Sequence, residues 1–404
     1  MEFDLKELQR EWIRGISPSD FLARVQKRRA KIEALTAQER LRGVLIAEAD
    51  PISFAASLFA SVDLKVPVIL ANPNWGRKEW EELSILVDPA LSFGVSGMLS
   101  SVKCGFSDLK PGAILIPTGG TTSGVRLAIH TWYSLSASVP GLQAFLGGGA
   151  IHCACQLPLY HVSGLMQILR SLQTGGCIHF DKNVYEGDCL SIVPTQLQRT
   201  MELSDGIRKL KMARAVFVGG SAMPESVAMQ ARTLRLPVIP VYGLTETAAM
   251  VAAVPNQEFL KDSKAGALAL GEAGFSIVDG LIRIQTPALF QGYQGSEPIE
   301  PSKGYLTGDM GGLDSTGRLH VYGRTDCLVN TGGEKVDPRE VEAALLKING
   351  IAAATVYGEP DIDWGEAVVA RISCAKEMDL EKVRSLLKQE LSSYKVPRRF
   401  VRVE

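Results

Sequence analysis

Short apolar runs separated by longer amphipathic stretches set the rhythm of the first 240 residues. Gly43-Val44-Leu45-Ile46 and Val66-Pro67-Val68-Ile69-Leu70 read as buried strands, and the stretch between them, around Ile52 to Ser61, reads as a helix. The alternation recurs at Ala113–Ile116, Ala215–Val218 and Val238–Val241, each run closing on Gly, Pro or Thr. Strands alternating with helices predict βαβ units and parallel sheets, in which ligands bind beyond the carboxyl ends of the strands. The opening forty residues are charged and helical in character, with Leu5, Leu8 and Trp12 at helix spacing.

From about Gly266 to Tyr322 the texture changes to short alternating strands with Gly turns, such as Leu281–Ile284 and Arg318–Tyr322. A helix start follows, with Asp337 as cap, Pro338 at the first position and Glu340 placed to complete a capping box. Two more strands (Ala353–Tyr357 and Ala367–Ser373) precede an amphipathic helix carrying Leu380, Val383, Leu386, Leu387 and Leu391 on one face. The expected division is a large α/β domain over residues 1–325 and a small α+β domain over 326–404.

Composition narrows the class. Among the 404 residues, 46% are hydrophobic and 22% charged, which excludes disordered and fibrous chains. A formal charge of -1 supplies no field to gather nucleic acid or an anionic membrane surface. Residues 127–169 contain no Asp, Glu, Lys or Arg, but Pro140, Gly147-Gly148-Gly149 and Pro158 break any apolar span, so a buried core is expected there and no membrane segment. Seven scattered cysteines and the absence of an apolar leader point to a reducing, cytoplasmic setting. His152, Cys153 and Cys155, with His161, Cys177 and His179, resemble a metal cluster only loosely. Their apolar, strand-like setting fits buried thiols better.

Three motifs carry candidate chemistry. Thr118-Gly119-Gly120-Thr121-Thr122-Ser123-Gly124 follows the strand Ala113–Ile116, and Arg126 adds a fixed positive charge. Glycines that let N–H groups converge, with hydroxyls and a cation, suit a polyphosphate; the alternative is a plain turn. Tyr242-Gly243-Leu244-Thr245-Glu246-Thr247 again ends a strand, offering an aromatic face for a base and a carboxylate beside hydroxyls for Mg²⁺, or else a capped helix start. Tyr305-Leu306-Thr307-Gly308-Asp309, then Arg324 in Gly323-Arg324-Thr325-Asp326, offer a carboxylate for a vicinal diol and a guanidinium for an anionic oxygen, or two ordinary turns.

In this order the motifs resemble the acyl-adenylate-forming superfamily of acyl- and aryl-CoA ligases, from about residue 40 to the end. The resemblance implies a large N-terminal domain of parallel and mixed sheets flanked by helices, with a small β-barrel-like part, and a small mobile C-terminal domain. It implies ATP, Mg²⁺ and coenzyme A as reactants and cofactor, and a small carboxylic acid as the substrate. Thr118, Gly119, Gly120, Thr121, Thr122 and Arg126 would hold the phosphates, and Gly219, Gly220 and Ser221 would line the adenine pocket. Tyr242 and Gly243 would sit at the base, Thr245 at the α-phosphate, Glu246 on Mg²⁺ and Asp309 on the ribose, with Arg324 catalytic. Asp326 would be the hinge of the small domain, and Gly332-Gly333 would line the pantetheine path.

Within the superfamily, Leu157–Leu165, Ser191–Leu197 and Thr331–Lys335 are similar to the o-succinylbenzoate–CoA ligases of menaquinone and phylloquinone biosynthesis. His161, Ser163 and Gln196 would then meet the acid, although His161 equally suits the superfamily's general gate position. Two departures stand out. Ser123 replaces a usual Gly, and Val125-Arg126 replaces Pro-Lys. The sequence also stops at Glu404, before the loop where the superfamily carries a lysine for the adenylation step, so slow adenylation with intact thiol transfer, or a weakly active adenylate-binding module, is a second expectation.

Overall fold

The computed structural model describes residues 3–95, 109–118, 124–325, 328–331, 334–361, 363–374 and 378–403. The alternating segments form two parallel-rich sheets. The first contains β1 (Val44–Ile46), β2 (Val68–Leu70), β3 (Leu91–Phe93), β4 (Ala113–Thr118) and β5 (Arg126–Thr131), in the order β3-β1-β2-β4-β5. The first four are mutually parallel, and β5 returns antiparallel along β4.

The second sheet contains β6 (Cys153–Ala154), β7 (Ile178–His179), β8 (Cys189–Ile192), β9 (Ala215–Val218), β10 (Val238–Tyr242), β11 (Ala252–Ala253) and β12 (Leu268–Ala269), in the order β12-β11-β10-β9-β8-β6-β7. β6 through β10 run parallel. Every residue of β1, β2, β8 and β9 is buried, which explains why these strands read as continuous apolar runs without alternation. The helix Pro51–Asp63 buries a run from Phe54 to Ser61, and its first turn is closed by the Asp50 carboxylate accepting from the Ser53 N–H.

The start of the chain departs from expectation. Leu5–Gln9 is a short 3-10 helix, and the long helix begins only at Pro18, after Ser17 as cap. Trp12 lies between them because its segment pairs with β7: the Ile178 N–H donates to Trp12 O (2.7 Å) and the Arg14 N–H donates to Ile178 O (2.9 Å). Tertiary pairing here overrides a helical spacing, and Trp12 still ends fully buried against Phe21 and Phe59.

The small β-barrel-like part that the resemblance implied is not seen as a closed barrel among the described residues. β13 (Gly274–Val278), β14 (Leu281–Gln285), β15 (Tyr305–Leu313) and β16 (Leu319–Arg324) lie in the order β13-β14-β15-β16, with no closure among the described residues. A row of four strands is well short of the roughly eight that close around a filled interior. A last sheet holds β17 (Val329–Thr331), β18 (Glu334–Val336), β19 (Ile351–Asp361), β20 (Gly365–Cys374) and β21 (Arg399–Val403). β19 and β20 form a long antiparallel pair, and β21 runs parallel to β20.

The helix Pro338–Leu346 starts at the Asp337 cap as the sequence predicts, but Glu340 does not complete a capping box. Its carboxylate is taken by Lys395 Nζ at 2.7 and 2.8 Å, an ion pair the sequence places 55 residues away. The chain divides into two compact units, one of Met1–Ser276, Arg283–Leu306 and Leu313–His320, the other of Ile277–Ile282, Thr307–Gly312 and Val321–Glu404. No helix among the described residues is long and apolar enough to cross a membrane.

Candidate active site

In the first unit, β4 and β5 pair up to Thr118 opposite Arg126, so the Gly/Thr motif is the connection between two adjacent strands. Gly119, Gly120, Thr121, Thr122 and Ser123 lie outside the described residues. The Val125 N–H donates to Glu82 Oε2 (2.9 Å), which pins the outgoing end of the loop. Arg126 is exposed, and its guanidinium lies 3.5 Å from the centre of the Tyr293 ring.

At the carboxyl end of β10, Tyr242 is half-buried and the chain turns sharply through Gly243. A Cβ on Gly243 would lie 1.4 Å from Ala249 O, so the turn admits no side chain there. Thr245–Thr247 form a 3-10 turn, followed by Ala248 and Ala249 at φ 52° and 76°, left-handed conformations costly for residues with a Cβ. The Thr247 hydroxyl accepts from the Leu244 N–H (3.0 Å) and is buried, closing the turn on itself.

Glu246 is 8% exposed, and its carboxylate accepts a short hydrogen bond from the Tyr293 hydroxyl. Burial, and then the Glu246 charge, push the Tyr293 phenol well above its usual range, so it remains a donor. The Phe290 N–H donates to Glu246 O (2.9 Å), and the Phe290 ring packs edge-on against Tyr293 and Tyr305. On the other side His130 Nε2 faces Thr245 O (2.8 Å) and Nδ1 faces Ser134 Oγ (2.9 Å). Complete burial lowers the His130 pKa to about 4, so the ring is neutral and Nε2–H donates to the carbonyl.

Neither Tyr293 nor His130 stands in any of the three motifs. The one local signal for Tyr293 is the turn Gln291-Gly292-Tyr293, which taken alone looks like any other.

Gly219, Gly220 and Ser221 follow β9 between the ends of β8 and β10. The Gly219 N–H donates to Ile192 O (3.3 Å), and a Cβ on Gly219 would approach Val241 Cγ2 to 2.7 Å. These residues, Tyr242, Glu246 and Arg126 therefore all sit at strand ends in one unit, where parallel folds bind ligands.

The acid-substrate residues are less unified. A cavity of about 640 Å³ in the first unit is lined by Gln196 with Glu48, Asn74, Gln156, Tyr160 and Ile192 among others, but not by His161 or Ser163. The Gln196 Oε1 accepts from the Val193 N–H (3.0 Å) and so serves the start of the helix Pro194–Glu202. His161 is exposed at the start of the helix Val162–Gln173, with its ring 4.7 Å from that of Tyr160, while Ser163 is half-buried.

The same helix buries Arg170 among the thiols of Cys153, Cys189 and Cys155. Burial lowers the Arg170 pKa, and no carboxylate among the described residues forms an ion pair with it. Burial likewise pushes Cys153 up to about 11 and Cys189 to about 12, which keeps these thiols protonated and unreactive.

In the second unit Asp309 is buried, and its N–H donates to Thr307 Oγ1 (3.0 Å), which in turn donates to Ile282 O (2.8 Å). Arg324 Nη1 reaches Asp309 Oδ1 at 3.4 Å, a loose ion pair with the guanidinium half in solvent. The structure thus brings together the carboxylate and guanidinium that the third motif singled out. Asp326, Gly332 and Gly333 lie outside the described residues.

Residues 26–293 match the AMP-binding enzyme family, and residues 340–404 match the AMP-binding enzyme C-terminal domain. The chain is 31% identical over 326 residues to the 2-succinylbenzoate–CoA ligase of Enterococcus faecalis, covering 72% of this chain and 66% of that one. It is 28% identical over 317 residues to the enzyme of the same name from Listeria monocytogenes, covering 74% and 67%. The chain spans about two thirds of the length of these curated relatives.

Among solved structures it is similar to o-succinylbenzoate CoA synthetase from Bacillus subtilis in complex with its acyl-adenylate intermediate. The TM-score is 0.81 at 20% identity, covering 99% of this chain and 94% of that one. It is also similar to a Mycobacterium tuberculosis fatty acyl CoA synthetase, with a TM-score of 0.70 at 18% identity, covering 96% and 89%. At these identities the likeness establishes the fold, a large mixed α/β region followed by a small C-terminal domain.

Proposed function

The chain belongs to the AMP-binding enzyme family, and from that premise we propose that it is an acid–CoA ligase converting o-succinylbenzoate, ATP and coenzyme A to o-succinylbenzoyl-CoA, AMP and pyrophosphate. The observation that carries the reading is the connected set Arg126–Tyr293–Glu246, which joins a loop cation to a buried carboxylate at the ends of β5 and β10. The names of the curated relatives support the choice of acid.

In this reading Thr118, Gly119, Gly120, Thr121, Thr122 and Arg126 hold the triphosphate. Gly219, Gly220, Ser221, Tyr242 and Gly243 take the adenine, and Asp309 takes the ribose hydroxyls beside Arg324. Glu246, a nearly buried carboxylate with one oxygen already bonded by a phenol, is a fitting hard-oxygen ligand and would hold Mg²⁺, which when bound neutralises phosphate charge. The substrate carboxylate attacks the α-phosphorus with Thr245 beside it, and the bond to pyrophosphate breaks. Arg126 stabilises the charge that develops, since positioned donors and cations supply most of the acceleration in such transfers.

The thiolate of coenzyme A then attacks the acyl carbon and AMP leaves. Gly332-Gly333 would line the thiol's approach, and residues 326–404 would act as the small domain turning at Asp326. In this reading His161, Ser163 and Gln196 meet the acid.

The test is incubation with Mg²⁺-ATP, o-succinylbenzoate and coenzyme A, following pyrophosphate and thioester by chromatography, with a parallel reaction started from pre-formed o-succinylbenzoyl-adenylate. Thioester in either supports the ligase. Its absence from both, with product from another aromatic or fatty acid, reassigns the substrate.

A further inference from the structure

Tyr293 lies outside the motifs that carry the proposed chemistry, yet it touches the charged group of two of them. Its ring seats the Arg126 guanidinium at 3.5 Å, and its hydroxyl donates to Glu246 Oε1. The backbone around it is anchored on both sides. The Gln291 N–H donates to Ile129 O (2.7 Å), the Ile129 N–H to Gly292 O (2.9 Å) and the Gln294 N–H to Leu127 O (2.9 Å), so the segment is tied to the edge of β5 through an isolated antiparallel bridge with Tyr293 opposite Ala128. Just before it the Phe290 N–H is bonded to Glu246 O. Gly292 takes φ 125°, where a Cβ would approach Glu297 O to 3.1 Å, so the bend that aims the Tyr293 side chain requires glycine.

We propose that Tyr293 is a positioning residue for the adenylation step, holding Glu246 and Arg126 at the two ends of one aromatic side chain. The inference rests on the function proposed above. The phenol occupies one carboxylate oxygen and leaves Oε2 for a cation, so the carboxylate keeps one orientation whether or not the cation is bound. Losing such an outer hydrogen bond typically weakens metal binding about 10–100-fold. At the other end, an exposed arginine has many rotamers in water, and stacking on the ring selects those that keep its charge at the end of the phosphate loop.

Two variants separate the two ends. Tyr293→Phe keeps the ring under Arg126 and its packing on Phe290 but removes the hydroxyl, whereas Tyr293→Leu removes both. Three quantities are measured: Mn²⁺ binding in the presence of a non-hydrolysable ATP analogue, by electron paramagnetic resonance; analogue binding in EDTA, by calorimetry; and the Mg²⁺ dependence of pyrophosphate release with o-succinylbenzoate.

Tyr293→Phe should bind Mn²⁺ about 10-fold or more weakly and need correspondingly more Mg²⁺, with metal-free analogue binding unchanged. Tyr293→Leu should lose metal-free analogue affinity as well. A purely structural role would lower the melting temperature without this split. A Phe variant with wild-type Mn²⁺ affinity and Mg²⁺ dependence overturns the inference. A wild-type protein that binds neither metal nor analogue and releases no pyrophosphate with any acid tried overturns the adenylation reading itself, and the inference with it.

Discussion

His130 is fully buried between the Thr245 carbonyl and the Ser134 hydroxyl, and its environment excludes the protonated ring. Its folded pKa of about 4 lies below the ordinary 6.5, so the folded state binds a proton later than the unfolded state as pH falls. The stability this residue lends is intact above pH 6.5 and drains away between 6.5 and 4, by roughly 2 kcal/mol from pH 7 to pH 5. Urea titrations at the two pH values should show this loss, and the His130→Gln variant should show about 2 kcal/mol less of it; equal pH dependence in both proteins would refute the assignment. His130 could not have been found from the motifs, because its partner Thr245 is 115 residues away. Glu246 and Arg126 were legible, since a carboxylate beside hydroxyls and a cation closing a Gly/Thr loop have local meaning. Tyr293, which ties them, was not, because contact among strand ends depends on how β5 and β10 are placed.

At the scale of elements, the turn after β10 is held by close backbone approach more than by side chains. The Gly243 Cα sits where any added Cβ would collide with Ala249 O, itself locked by the left-handed Ala248 and Ala249. Gly243→Ala should therefore destabilise the protein by about 2–3 kcal/mol, as overpacking a rigid site does, and should displace Glu246. Chemical denaturation and nucleotide binding together check this; a variant with wild-type stability and affinity would show that the turn is slack. The strands β1, β2, β4 and β9 were readable because each is a short, almost wholly buried apolar run. The barrel-like part that the resemblance implied is not closed among the described residues, where β13-β14-β15-β16 form an open row; closure depends on pairing between distant strands, which short alternating segments do not report. The capping box at Glu340 failed for a similar reason: Lys395 offers the carboxylate a full charge, and a local rule cannot weigh a distant competitor.

The whole molecule has two compact units, each with its own apolar core. Phe59, Leu58 and Phe217 belong to a core of the first unit, and Ile372, Val368 and Leu387 to that of the second. Separate cores predict departure from two-state unfolding. Calorimetry should resolve two transitions, with Ile372→Ala lowering one and Phe59→Ala the other, each by about 2–5 kcal/mol. A single transition shifted alike by both would show one cooperative block. The order of strands and helices, the two-part organisation and the residue types able to hold a nucleotide were determined by the sequence itself, because periodicity, glycine and charge act over a few residues. Which of those residues meet was decided only by the tertiary structure. Arg126, Tyr293 and Glu246 come from segments up to 167 residues apart, and only the packing of two separate sheets around one apolar core brings the ends of β5 and β10 to one place.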